Sequence, residues 1–291
     1  MTARRVIDAL VQNDALNFAL TNRIPRRLLT TLIGRISKSE NPFVFRPAMA
    51  LWQLFSDLDL SEAKTTRFTS LHACFTRELR DGVRPVDPRP EVLTAPCDGI
   101  VVACGTVDGQ QLLQVKGSHY TLDELAAGAD LSRYRNGCYV TLRLTGGMYH
   151  RFHAPCDGSL RQVTYISGDT WNVHPIALRR IERLFCKNER AVLPLEGTPD
   201  GVAVTLVPVA AVLVASMRLN CNEPVLDLSY PGPNHISCAA TFAKGDELGR
   251  FEQGSTIIVF AAGRVALARG LEVGTRVRMG QRLLEIDPGR S

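Results

Sequence analysis

Gly254-Ser255 stands directly before the β-branched run Thr256-Ile257-Ile258-Val259-Phe260. Glycine puts no side chain over its own carbonyl, and a serine hydroxyl beside it can attack that carbonyl and turn the amide into an ester. Loss of the ester by β-elimination would split the chain and leave a new amino terminus bearing a reactive carbonyl. The chain would then make its own electrophile. A hydroxyl is a weak nucleophile until a base takes its proton. Met148-Tyr149-His150-Arg151-Phe152-His153 sets two imidazoles three residues apart, and Pro96-Cys97-Asp98-Gly99 supplies a carboxylate held by turn residues. An imidazole with an ordinary pKa of about 6.5 suits the proton transfer when a carboxylate orients it, so an Asp, a His and Ser255 could form a relay.

Each of these signals is weak alone, since Gly-Ser-Thr and Asp-Gly are first of all turn sequences and a His-x-x-His pair can sit on any half-buried strand. The carboxylate is also ambiguous. Ala95-Pro96-Cys97-Asp98-Gly99 returns letter for letter as Ala154-Pro155-Cys156-Asp157-Gly158, 59 residues later (154 − 95). Either aspartate could serve, and the echo reads as two similar β-hairpin units in a pseudo-symmetric β fold.

The elements that must position these residues are mostly strands. After Pro85 the chain is β-rich: 99–102, 138–142, 202–207 and 256–260 are short β-branched runs separated by Gly, Pro and Asp turns. They predict a compact sandwich or barrel. Ser61 is read as the cap of a helix running toward Leu79, with Glu62 favourable in its first turn, and 176–190 is read as helical. Pro231-Gly232-Pro233 is read as a loop near the substrate entrance. The fold class expected is α+β: a helical membrane-associating segment over 1–65, then a β-rich sandwich or barrel-like catalytic domain over 66–291.

In the amino-terminal part, Ile24, Leu28, Leu29, Leu32, Ile33 and Ile36 recur at helical spacing beside Arg23, Arg26, Arg27, Arg35 and Lys38. This predicts an amphipathic helix, and a second apolar stretch runs from Phe43 through Trp52 to Phe55. The pair could lie among lipid headgroups or simply pack on the catalytic domain.

Among 291 residues, 45% are hydrophobic and the net charge is +5, enough apolar content for a large core and a mildly basic balance that suits an anionic membrane surface. Neither a Lys/Arg block nor an aromatic-basic platform is present, which argues against nucleic acid. The eight cysteines approach no closer than seven residues, so a Cys-x-x-Cys zinc or redox signature is absent. Asp8, Asn13 and Asp14 interrupt any secretory core, so reduced thiols in the cytoplasm are expected.

Taken in order, the segments 71–85, 95–99, 149–158, 173–175, 184–190, 244–251 and 254–256 resemble the proteobacterial type of phosphatidylserine decarboxylase, a pyruvoyl enzyme made as a proenzyme. The resemblance covers nearly everything after about residue 65. It implies cleavage between Gly254 and Ser255 into a β chain (1–254) and an α chain of 37 residues (255–291), which stay associated. Ser255 would become the covalent pyruvoyl cofactor, the group that forms a Schiff base with the substrate. Asp98, His153 and Ser255 match the family's self-cleavage triad, and His150 matches the histidine of the decarboxylation step, as the acid that returns a proton. Asp157 is then structural.

The resemblance further implies phosphatidylserine and an anionic membrane surface as partners, at the cytoplasmic side of the cell membrane, with no nucleic acid and no metal. Monomer and homodimer both remain open. Gln253 stands where the family often has leucine, and Val209–Ala215 carries alanines at Ala210 and Ala215 where glycines are expected, which would alter a strand near the pocket. Two rival readings remain: a metal-dependent hydrolase with Asp98, His150 and His153 as zinc ligands, and a non-catalytic carrier or binding module.

Overall fold

The computed structural model describes residues 26–115, 118–198, 201–211, 216–221, 225–227, 229–252 and 255–286. Its centre is an eight-stranded antiparallel sheet in the order β12-β7-β8-β9-β14-β5-β2-β16. These strands are β2 (Gly99–Thr106), β5 (Cys138–Arg143), β7 (Gly158–Ile166), β8 (Arg190–Leu195), β9 (Ala203–Ala210), β12 (His235–Phe242), β14 (Ser255–Ala262) and β16 (Arg276–Val277). A four-stranded sheet holds β6 (Arg151–His153), β10 (Ser216–Leu219), β11 (Val225–Asp227) and β13 (Glu247–Phe251), and a three-stranded sheet holds β1 (Val92–Thr94), β15 (Val265–Leu267) and β17 (Arg282–Ile286).

β14 shows why the centre is so apolar. Successive strand residues point to opposite faces, so Ile257, Val259 and Ala261 enter one core with Phe152, Met217, Phe251 and Leu284, while Ile258 and Phe260 enter a second. The second core is closed by the hairpin of β3 (Gln111–Val115) and β4 (Ser118–Thr121) and by short helices. A strand covered on both faces reads as an unbroken hydrophobic run.

The pentapeptide echo is a structural repeat. Gly99 opens β2 and Gly158 opens β7. Asp98 accepts the Met279 amide at 2.9 Å, and Asp157 accepts the Lys244 amide at 2.7 Å. Gly280 then donates to Ala95 and Gly245 to Ala154, at 3.0 and 2.8 Å, and both glycines have positive φ (85° and 91°), where a side chain would strain the backbone. The two aspartates differ in setting, since Asp98 is buried and Asp157 exposed.

Helix α1 (Arg26–Ser37) falls where the amphipathic pattern predicts, and α2 (Pro42–Phe55) is capped by Asn41, which accepts the Phe43 amide at 2.9 Å. Residues 1–25 of the expected helical segment lie outside the described residues. Among the described residues, no helix is long and apolar enough to cross a membrane.

Two helix expectations are corrected. The chain after Ser61 turns and bends rather than coiling into a helix: Ala63 bridges Leu79, and Lys64 and Arg80 donate backbone bonds to Glu78 and Glu62. The helix begins only at α3 (Leu71–Phe75), where Ser70 caps the Ala73 amide. Residues 176–190 hold two short helices, α5 (Pro175–Arg180) and α6 (Leu184–Lys187), because Arg183 takes a left-handed φ of 54° and Arg190 already opens β8; α4 (Leu122–Ala126) packs beside α6. The Pro231–Pro233 segment is a loop between β11 and β12, but it lines neither cavity described below.

Candidate active site

His153 is the last residue of β6, and His150 directly precedes that strand. Phe152 points into the core, so Arg151 and His153 face the other way. Arg151 pairs with Glu247 at 2.7 Å and donates to the Thr76 carbonyl, while Arg77 donates to the Gly147 and Met148 carbonyls. These two arginines stitch the end of α3 to the histidine strand. Gly147 tightens the same corner: a Cβ there would meet the Asp57 carbonyl at 2.5 Å, so only glycine lets the segment after α2 lie against it.

His153 Nδ1–H donates to the Gly245 carbonyl at 2.9 Å, which leaves the Nε2 lone pair to accept the Tyr149 hydroxyl at 3.0 Å. Burial lowers its pKa, and the Gly245 carbonyl offsets only part of that. Asp98 is held from elsewhere. Arg84 grips it with Nε–Oδ1 2.9 Å and Nη2–Oδ2 2.6 Å, and a second carboxylate, Glu62, lies 2.8 Å from Arg84. Burial opposes the charge on Arg84, but the bonds to Asp98 and Glu62 outweigh it and raise its pKa. The direct carboxylate–imidazole bond expected of a relay is therefore not formed here, and a backbone carbonyl orients the ring instead. Asp98 and His153 are linked through shared neighbours, since Arg84 and Met279 both contact Asp98 and both line a cavity of about 270 Å³ with His153.

His150 is fully buried. Its ring stacks on Phe75 at 3.9 Å between centroids, and both nitrogens are buried beside the Thr145 and Gly146 backbone, which approaches them without good hydrogen-bonding geometry. Burial, with the nearby Arg77 charge, pushes its pKa down to about 3. Phe75 itself lines a second cavity, of about 950 Å³. That cavity runs from Ile33, Ile36, Leu51 and Trp52 on the amino-terminal helices to Asp98, Arg143 and Ala211, and it shares the wall of Leu79, Arg84 and Tyr149 with the smaller one. His150 thus stands one ring behind the cavity wall. Among the described residues, no cluster of three His, Cys, Asp or Glu side chains could hold a metal ion, so Asp98, His150 and His153 are not gathered as the zinc reading would need.

Gln253, Gly254 and the Ser255 side chain lie outside the described residues; the junction is framed by its neighbours. Ser255 opens β14 opposite Ala210, and Thr256 lies opposite Arg143. Asn188 fixes the opposite strand by donating to the Ala210 and Trp171 carbonyls, both at 2.8 Å, and Glu189 accepts the Ala210 amide. Upstream, buried Glu252 meets Lys38, in the turn just after α1, at 3.0 Å, His72 of α3 at 3.4 Å and the Ser216 hydroxyl at 3.3 Å. Burial alone would raise its pKa, but the bonds to His72 and Lys38 outweigh that and hold it at about 2.

Arg84, Tyr149, Asn188 and Glu252 received no role from sequence reasoning. All but Glu252 fall inside segments that carry the family resemblance, yet their partners are distant in the chain.

Glu252 yields a direct expectation. A carboxylate with a depressed folded pKa contributes stability that is complete above its ordinary value of 4.5 and is lost as pH falls toward about 2. Glu252→Gln should lower unfolding stability at neutral pH by about 1–3 kcal/mol. The gap to wild type should close over that acid window, as read by thermal melts at stepped pH. A constant gap would show that the charge plays no part.

A family model described as phosphatidylserine decarboxylase matches residues 71–285. The chain is 39% identical to a phosphatidylserine decarboxylase proenzyme of Halorhodospira halophila, over 92% of this chain and 93% of that one. It is 34% identical to the proenzyme of Sodalis glossinidius over 93% and 95% of the two chains, and 35% identical to that of Dickeya dadantii over 94% and 93%. With the matched region spanning the histidine strand, both pentapeptides and the junction strand β14, the chain belongs to the phosphatidylserine decarboxylase family.

Proposed function

We propose that this chain is a proenzyme that cuts itself between Gly254 and Ser255 and then removes the carboxylate of phosphatidylserine as carbon dioxide, leaving phosphatidylethanolamine. The observation that carries the reading is the cavity of about 950 Å³ that joins apolar helix residues to Asp98, Arg143 and Ala211, beside the strand that Ser255 opens. A lipid needs such a path from an apolar entrance to a polar floor.

For the cut, His153 is the base: its Nδ1–H is fixed on Gly245, so the lone pair sits on Nε2, where Tyr149 now donates. Asp98 holds Arg84 between the two cavities and keeps negative charge near the ring. Asn188 and Glu189 fix Ala210, and with it the register of the strand facing residue 255. A pyruvoyl group at that residue would lie at the end of the strand paired with β9, one position from Ala211, which lines the cavity from the other face. Such a group, once formed, supplies an electron sink for the pair left by the departing carboxylate. His150 is given the return of a proton to carbon, which needs the Phe75 ring to move from between it and the cavity. In its present surroundings burial first, and Arg77 second, keep the ring neutral, so an anion that offsets Arg77 relieves only the smaller part of what opposes its protonation.

After cleavage β14 remains laddered to β9 and β5, which holds the small chain in place. Leu32, Phe43, Leu51 and Leu54 are exposed on α1 and α2, and Phe43 at 89% is nearly fully so. Their membership of the two amphipathic elements supports insertion at the surface of the cell membrane from the cytoplasmic side.

The test is phosphatidylserine labelled in the serine carboxyl, presented in detergent micelles. Labelled carbon dioxide with matching phosphatidylethanolamine is expected. Release of free serine or phosphoserine would instead mark a hydrolase and end the reading.

A further inference from the structure

We propose that Arg143 is the anion anchor of the larger cavity and that it holds the phosphodiester of the lipid headgroup, leaving the substrate carboxylate free to depart. This rests on the decarboxylase reading and assigns a headgroup contact within it. Arg143 ends β5 directly opposite Thr256 and lines the cavity.

The other buried arginines of that wall have partners. Arg84 is held by Asp98 and Glu62, and Arg77 by the carbonyls of Cys74, Gly147 and Met148, although its Nε is, like that of Arg143, buried without an acceptor. Of the two more exposed arginines of the cavity, Arg278 pairs with Glu62 and Arg276 stands open to solvent. Among the described residues, no carboxylate or carbonyl bonds the Arg143 guanidinium, and its Nε is buried with no acceptor. The Thr256 hydroxyl, at the directly opposed position and so on the same sheet face, is likewise buried without a partner. Two polar groups left unmatched side by side are costly unless a ligand completes them. A guanidinium fork matches an oxyanion. Its place on the strand next to β14 sets the bound anion about one strand spacing, roughly 4.8 Å, from the chain at 255–256.

The headgroup offers two oxyanions. Holding the carboxylate would stabilise a charge that must vanish as carbon dioxide leaves, which raises the barrier. Holding the phosphodiester stabilises ground and transition states alike, because its charge does not change during the reaction. The predicted signature is therefore on KM.

R143Q and R143K are compared with wild type on phosphatidylserine in mixed micelles. Phosphatidylmethanol, which keeps the phosphodiester but lacks amine and carboxylate, serves as a competitive inhibitor. Processing is read on denaturing gels and rates are taken per processed molecule. R143K keeps the comparison open if R143Q folds poorly. R143Q should raise KM by about tenfold to a hundredfold with kcat nearly unchanged, and should weaken phosphatidylmethanol inhibition by the same factor, with R143K in between.

Unchanged KM and inhibition in both variants would overturn the proposal. So would a fall in kcat with inhibition intact, which would put the guanidinium on the carboxylate. Wild-type protein that releases no carbon dioxide would instead remove the underlying decarboxylase reading, and that result is distinct from active wild type with indifferent variants.

Discussion

Ser255→Ala protein should stay whole at 291 residues and release no carbon dioxide from phosphatidylserine, a loss on the order of a millionfold or to the assay floor. The substitution removes the oxygen that attacks in the proposed cut; without its departure on the new Gly254 carboxylate there is no dehydroalanine at residue 255 for water to hydrolyse, with loss of ammonia, to the reactive carbonyl. Folding should survive. Residue 255 is the first of β14, and the ladders of that strand to β9 and β5 are backbone bonds that alanine makes equally well. Circular dichroism and melting close to wild type would accompany the uncut band. A Ser255→Ala protein with normal turnover would show that the hydroxyl has no such part.

His150→Ala should separate the two reactions. His150 lies behind Phe75, away from both cavity walls, and its backbone carbonyl accepts the Phe251 amide at 3.0 Å. That bond keeps the approach to the junction whichever side chain is present. The variant should therefore still cut itself, while decarboxylation falls by about a hundredfold to ten-thousandfold, the range for loss of a general acid. Replacing a fully buried ring also leaves a void, so a lower melting temperature is expected in parallel. His150→Gln fills more of the space and separates the two effects: it should recover stability and not turnover. Turnover restored by glutamine would make His150 a packing residue, and an uncut His150→Ala chain would move its role to the first step.

The strands were the most legible part of the chain. β14, β9 and β5 are β-branched runs bounded by turn residues, and their alternation between two cores follows from a period of two. The repeated Ala-Pro-Cys-Asp-Gly also foretold two equivalent turns. What sequence could not show is which aspartate turns toward the cavity. That depends on Arg84 reaching Asp98, while Lys244 offers Asp157 only a backbone amide.

The partner of His153 was equally hidden, because Gly245 lies 92 positions away and is an ordinary turn glycine in the sequence. The helix read from Ser61 failed because the Ala63–Leu79 bridge, a tertiary contact, outweighs local capping preference. The expected helix over 176–190 failed at Arg183, whose left-handed backbone no propensity scale foresees. Glu252 looked like neutral filler before the glycine, and its contacts to Lys38 and His72 become visible only once α1 and α3 are docked.

The most direct test of self-made chemistry is the intact mass of purified wild-type protein under denaturing conditions, before and after hydroxylamine. Two species are expected, ending at Gly254 and starting at residue 255, with the smaller one blocked at its amino terminus and shifted in mass by the reagent. A single unbroken chain that nonetheless releases carbon dioxide from phosphatidylserine would contradict the account.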